Sequence, residues 1–165
     1  MICATIEEFA AALPAEGAVI GLDPGTKTIG VALSDRRRRI ATPSCVIRRR
    51  KPSADMEALV SLIETRAACG AVLGLPLNMD GSEGPRAQSA RAFARNLVAR
   101  LPLPVFLWDE RLSTVAAERA LIEADASRKR RSEVIDAVAA GYILQGALDR
   151  LARIPPRQGT TDEQR

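Results

Sequence analysis

Apolar positions along this 165-residue chain change their period several times, and each change marks an element. AVIGLD (18–23) is a continuous apolar run closed by an acid, the pattern of a buried strand, and TIGVALSD (28–35) is a second one. Only the PGTK turn lies between them, so the two pair as an antiparallel hairpin. IATPSCVIR (40–48) reads as a third strand, with Pro43 at an irregular or edge position because it has no N–H to give a ladder. From the cap candidate Ser53 the period lengthens: Met56, Leu59, Val60 and Ile63 share one helical face, which should end near Gly70. AVLGLP (71–76) is a short strand, NMDGSEG (78–84) a turn-rich loop, and PRAQSARAFARNLVARL (85–101) a helix with Pro85 in its first turn. VFLWDE (105–110) is a fifth strand. TVAAERALIEA (114–124), with Ser113 or Thr114 as cap, and SEVIDAVAAGYILQGALDRLA (132–152), capped by Ser132, are helices.

Three strands in a meander, followed by helix, strand, helix, strand and helix, define an α/β chain: a mixed five-stranded sheet with helices on both faces. Right-handed crossovers make 71–76 and 105–110 parallel to 18–23, so their carboxyl ends share one edge. Ligand chemistry in open α/β sheets gathers at such an edge. The capping-box pair Thr5 and Glu8 precedes FAAAL, a short helix expected to be peripheral within residues 1–17. The main domain then spans 18–152, and the polar stretch at 153–165 is expected to be disordered.

Composition removes alternatives. With no histidine, a Ser-His-Asp triad, a Cys-His pair and a histidine zinc site are excluded. Cys3, Cys45 and Cys69 have no CxxC spacing and form neither a disulfide framework nor a thiolate site. The start MICATIEEFAAAL has acids where a signal peptide has cations, and no apolar run reaches membrane-spanning length, so a cytoplasmic protein is expected. The net charge of +4 hides an uneven distribution: RRRR (36–39), RRRK (48–51) and RKRR (128–131) hold twelve of the 24 basic residues. Each lies between apolar segments, as a loop would, and three such runs suit a polyanion, since every neutralised phosphate releases a counterion. Strand direction places 48–51 and 128–131 near the carboxyl edge and 36–39 at the far end of the hairpin.

Acids are the remaining candidates for chemistry. Asp23 ends the first strand, where a carboxylate beside a core is costly without a purpose. Asp109 and Glu110 end the fifth strand; side chains alternate along a strand, so only one of them can join Asp23. Asp136 lies on the stripe Ala139, Ala140, Ile143 and Ala147, and its small neighbours let the helix approach the sheet. The structural alternatives are a turn Asp at 23 and a helix-dipole Asp at 136. Three converging carboxylates are hard oxygen ligands suited to Mg²⁺ or Mn²⁺.

LDPGTKTIGVALSD (22–35), GLPLNMDGSEGPRAQSARAFA (74–94), DERLSTVAAERAL (109–121) and DAVAAGYILQGALD (136–149) resemble, in order and spacing, the motifs of the YqgF family, also called RuvX. The resemblance covers about residues 19–150. It implies a ribonuclease H-like fold and a metal-dependent nuclease of the 5′ end of pre-16S ribosomal RNA, working in ribosome biogenesis on RNA or on ribosomal precursor particles. Carried over position by position, it makes Asp23, Glu110 and Asp136 the catalytic and metal-binding acids, and it chooses Glu110 within the DER motif. Lys27, Asn78, Arg86 and Arg111 become substrate-binding candidates: Arg86 and the loop N–H groups can receive a phosphate, while turn chemistry and charge balance are the competing roles. Thr28 departs from the basic or serine residue common in the family, which weakens one candidate phosphate contact and leaves the acids intact.

Three other readings compete. Actin-like ATPases open on a similar Asp-x-Gly-Thr hairpin but need two lobes, and this chain has neither a second glycine turn nor a GxGxxG or Walker pattern. A Holliday junction resolvase acting on branched DNA would work as a dimer, whereas end-trimming of RNA suits a monomer or a homodimer. A non-catalytic RNA-binding assembly factor would keep the basic loops without using the acids. Trp108, with few aromatic neighbours, is assigned to the core rather than to base stacking.

Overall fold

The computed structural model of the protein describes residues 1–112 and 128–156, with the side chains of 128–133 outside that description. In chain order the elements are β1 (Ile2–Cys3), α1 (Ile6–Ala12), β2 (Val19–Pro24), β3 (Thr28–Ser34), β4 (Ala41–Arg48), α2 (Pro52–Thr65), β5 (Gly70–Leu75), α3 (Pro85–Arg100), β6 (Val105–Asp109), a 3-10 turn (Glu110–Leu112) and α4 (Arg128–Leu151). The helix expected at 114–124 and the last part of the tail, 157–165, lie outside the described residues.

One mixed sheet runs β1-β6-β5-β2-β3-β4. β2 and β3 form the antiparallel hairpin, Asp23 facing Gly30 across it, and β4 continues the meander. β5 is parallel to β2 and β6 parallel to β5, as the crossover argument requires. Pro43 satisfies both halves of its expectation: β4 is the edge strand, and the register slips opposite Val31 and Ala32 so that Ser44 is looped out between Cys45 and Pro43.

Several expectations need correction. The sheet has six strands rather than five, because Ile2 and Cys3 pair with Val105 and Phe106. Helix α1 is no appendage: Thr5 Oγ1 accepts from Glu8 N–H at 3.1 Å, Glu8 Oε2 accepts from Ala4 N–H at 2.8 Å, and Phe9 is fully buried. Ser53 is not the cap of α2, which starts at Pro52 with Lys51 in the cap position. That helix stops before Gly70 because Ala67 takes a left-handed φ of 51°, and Gly70 opens β5 instead. α4 begins at Arg128, so RKRR (128–131) forms helical backbone rather than a loop and Ser132 lies inside the helix. Arg153 and Ile154 continue past α4 in a hydrogen-bonded turn, with Ile154 packed on the core, so order extends past residue 152.

The two faces of the sheet carry separate cores. One is packed by α2 and α3 through Ile20, Leu22, Ile29, Leu59, Leu73, Phe93 and Leu97. The other is packed by α4 and α1 through Val19, Ala32, Val72, Phe106, Trp108, Ala140, Ile143 and Leu144. Trp108 is buried there, with its six-membered ring 2.6 Å from where a Cβ on Gly146 would stand, which places it in the core and not at a stacking surface.

Candidate functional site

The carboxyl edge of the parallel strands holds the predicted acids on the α4 face. Gly21, two residues before Asp23, lies against α4, where a Cβ would stand 2.6 Å from Leu144 Cβ. By strand alternation Asp23 faces the same helix, and it is only 6% exposed. Its hairpin partner Gly30 sits beneath α4 so closely that a Cβ there would overlap the Asp136 carbonyl and lie 3.1 Å from Ala137 N. On the other side, one residue beyond the Leu22–Leu73 pair, Gly74 lies level with Asp23. A Cβ on Gly74 would stand 2.5 Å from Glu110 Oε1, so the missing side chain is the seat of that carboxylate. Gly74, Asp23 and Gly30 thus form one row across β5, β2 and β3, with the Glu110 carboxylate over the first, Asp23 in the middle and the Asp136 backbone over the third.

Alternation separates Asp109 from Glu110 as expected. Asp109 pairs with Leu75, on the α2/α3 face, while Glu110 leaves the strand in the 3-10 turn and reaches back over Gly74. Asp109 is held by Arg111, which donates from Nη2 at 2.8 Å and Nε at 3.1 Å; this ion pair keeps the Asp109 carboxyl below its ordinary range and raises Arg111.

Asp136 is oriented by β3: Thr28 Oγ1 donates to Asp136 Oδ2. The donor set is right in kind for a hard divalent cation, three carboxylates and no nitrogen or sulfur. Among the described residues, however, no three acids stand close enough to share one ion. The row sets Asp23 level with Gly74, over which the Glu110 side chain reaches, and with Gly30, under the Asp136 carbonyl, and the hydrogen bond to Thr28 holds the Asp136 carboxylate toward β3.

The substrate-binding candidates divide. Asn78 and Arg111 are engaged in structure. Asn78 Nδ2 donates to Ser82 Oγ at 2.9 Å and its carbonyl accepts from Gly81 N–H, while Ser82 N–H and Oγ–H both donate to Asp80, whose carboxyl they hold below its usual range. Arg111 also reaches the Met79 carbonyl at 3.4 Å, tying this loop to the end of β6. Lys27, at the hairpin tip, and Arg86, in the first turn of α3, are exposed at the same edge.

The basic runs at 48–51 and 36–39 lie at opposite ends, as strand direction requires. Arg48 pairs with Thr28 across β3 and β4, which brings 48–51 to the acid edge. Arg49 turns inward: Nη1 donates to the Gly25 carbonyl at 2.8 Å, Nε donates to buried Asp55 at 3.4 Å, and the guanidinium lies 5.8 Å over the Phe93 ring. Arg50 and Lys51 are exposed. At the far end, RRRR (36–39) is a folded turn in which Asp35 accepts from the N–H groups of Arg37, Arg39 and Ile40, and these bonds keep its carboxyl low. Arg38, with φ 58°, donates to the carbonyls of Gly17 and Pro14 at 2.8 and 2.6 Å. That run is structural at its centre.

Sequence reasoning missed the contact of Thr28 with Asp136, the inward turn of Arg49 and the roles of Gly30 and Gly74. Isolated glycines within the strand patterns TIGVALSD and AVLGLP were the available signal, since a strand glycine marks close approach by another group. Nothing local marked the other two, whose partners lie on distant segments.

Comparison of the fold defines the class first. The structure of Thermus thermophilus RuvC in complex with a Holliday junction substrate superposes with a TM-score of 0.53 at 11% identity, covering 85% of this chain and 99% of that one. The fold is therefore ribonuclease H-like. The sequence profile of the RuvX family, described as Holliday junction resolvase, matches residues 17–150, and the chain belongs to that family. A relative from Paracoccus denitrificans (strain Pd 1222), named "Putative pre-16S rRNA nuclease", is 70% identical over 92% of this chain and 96% of its own length. A relative of the same name from Rhodobacter capsulatus is 65% identical over 96% of this chain and all of its own length. Among the described residues no helix is long and apolar enough to cross a membrane.

Proposed function

We propose that this protein is a cytoplasmic, metal-dependent nuclease that hydrolyses phosphodiester bonds at the 5′ end of precursor 16S ribosomal RNA. The observation that carries the reading is the row at the sheet edge, where two strand glycines clear space for Glu110 and for α4 on either side of buried Asp23. Asp23, Glu110 and Asp136 are the residues that would hold Mg²⁺ or Mn²⁺. Such an ion supplies a water of lowered pKa and stabilises the charge on the phosphoryl oxygens.

The protein's own residues position the substrate. Lys27, Arg50, Lys51 and Arg86 are exposed cations around the acid row and would grip the polyanionic backbone without reading sequence. Asn78 and Arg111 shape the loop between β5 and α3 and act on substrate through that shape.

The reading is tested by incubating precursor RNA with Mg²⁺ or Mn²⁺ and either the wild-type protein or Asp23→Asn. Cleavage by the wild type alone is expected; equal binding with no metal-dependent cleavage by either would leave an RNA-binding assembly factor. A second arm uses four-way DNA junctions, because the family description and the fold neighbour both concern junctions. The shared name of the close relatives favours RNA as the better substrate.

A further inference from the structure

We infer that Thr28 is a positioning residue for the third acid: its hydroxyl fixes the orientation in which the Asp136 carboxylate meets a cation. The inference rests on the metal site proposed above and concerns a residue outside the three acids. Thr28 and Gly30 alternate on the same face of β3, and both meet the same residue of α4. Gly30 fixes the backbone, since it lies directly under the Asp136 carbonyl and Ala137 N. Thr28 fixes the side chain, since Oγ1 donates to Oδ2. With its main chain held by one strand residue and its carboxylate by another, Asp136 is restricted to a narrow range of orientations.

A hydroxyl that donates to a ligand carboxylate lowers the entropy lost when that carboxylate takes up a cation, and it keeps the carboxylate aligned. Either a threonine or a serine provides the donor. A basic residue here would be an ion-pair partner for Asp136 instead, so Thr28 changes the way this acid is held rather than weakening the site.

The experiment is direct titration of the metal-free protein with Mn²⁺, followed by the paramagnetic signal of the free ion, for wild type, Thr28→Val, Thr28→Ser and Asp136→Asn. Thr28→Val is expected to bind Mn²⁺ about tenfold more weakly, the lower end of what losing an outer hydrogen bond costs a metal site. Thr28→Ser should match wild type. Metal-free melting curves of Thr28→Val that coincide with wild type show that the loss is local. Wild-type affinity in Thr28→Val, or a loss in Thr28→Ser as large as in Thr28→Val, overturns the role of the hydroxyl. A wild-type protein that takes up no Mn²⁺, or an Asp136→Asn variant that binds as well as wild type, overturns the metal site itself. The two failures are therefore distinct.

Discussion

The two faces of the sheet use opposite means to hold their helices. On the α2/α3 face, large aliphatic side chains such as Ile20, Leu22, Leu59, Leu73 and Leu97 fill the space between layers. On the α4 face, glycines and alanines remove that space, and the helix backbone rests almost on the strands at Gly21 and Gly30. The first arrangement maximises apolar area and so carries stability. The second gives up side-chain volume to hold polar groups at fixed positions, and it is the face on which Asp23, Glu110 and Asp136 stand. Both faces carry a buried core, and the α4 face in addition aims the acids.

The sharpest break of this comparison is Asp23→Asn. If Asp23 holds the metal as proposed, its loss should lower metal-dependent cleavage by roughly a thousandfold, about 4 kcal/mol of transition-state stabilisation, with the melting temperature unchanged or raised. A variant that cleaves normally would remove Asp23 from the site. On the opposite face, Leu59→Ala should cost about 3 kcal/mol of stability through the cavity it leaves. Its cleavage rate, measured well below the melting transition, should stay at the wild-type value; a selective loss of rate would show that the faces are not separate.

Two glycine substitutions probe the acid-bearing face at different depths. Gly74→Ala pushes on Glu110 Oε1 and Ile143 Cδ1, both ends of flexible side chains, so it should reduce cleavage by about 100-fold through a misplaced ligand while barely moving the melting curve. Gly30→Ala pushes on the backbone of α4, which cannot give way alone, and should cost about 2 kcal/mol of stability as well as activity. If the two variants melt alike, the claimed difference between a side-chain seat and a backbone contact is wrong.

The smallest effect is a pH dependence. The Asp109 carboxyl is lowered in the folded state by Arg111, so the pair's contribution is complete above the unfolded carboxylate value of about 3.9 and is lost as pH falls through the lower folded value. Comparing the melting of wild type and Asp109→Asn at pH 6 and below pH 3 should show a difference at the first that closes at the second. A constant difference would mean that the pair contributes packing rather than charge.

Most of the architecture was legible because it follows from local patterns. The hairpin needed only two apolar runs and a short turn, and the parallel strands needed only the handedness of crossovers. Asp136 stood out as an acid on a stripe whose members Ala139, Ala140, Ile143 and Ala147 are indeed buried. Where reading failed, the cause was non-local. β1 has two residues and becomes a strand only because β6 offers it an open edge, and its pairing joins positions about a hundred residues apart. Arg38 looked like one more exposed cation until its left-handed backbone turned its guanidinium onto the Gly17 and Pro14 carbonyls. Thr28 looked like a weakened phosphate contact because its partner, Asp136, lies 108 positions away.

The looped-out Ser44 beside Pro43 has a consequence for how copies of this protein behave in a crowded solution. An open edge strand presents a row of backbone groups onto which another chain's strand can add, and this is a common start of fibrillar aggregation. Here the row is interrupted midway by a residue without an N–H and by the displaced Ser44, and the opposite margin of the sheet is only two residues long. On the β4 side the sheet is terminated by its own sequence.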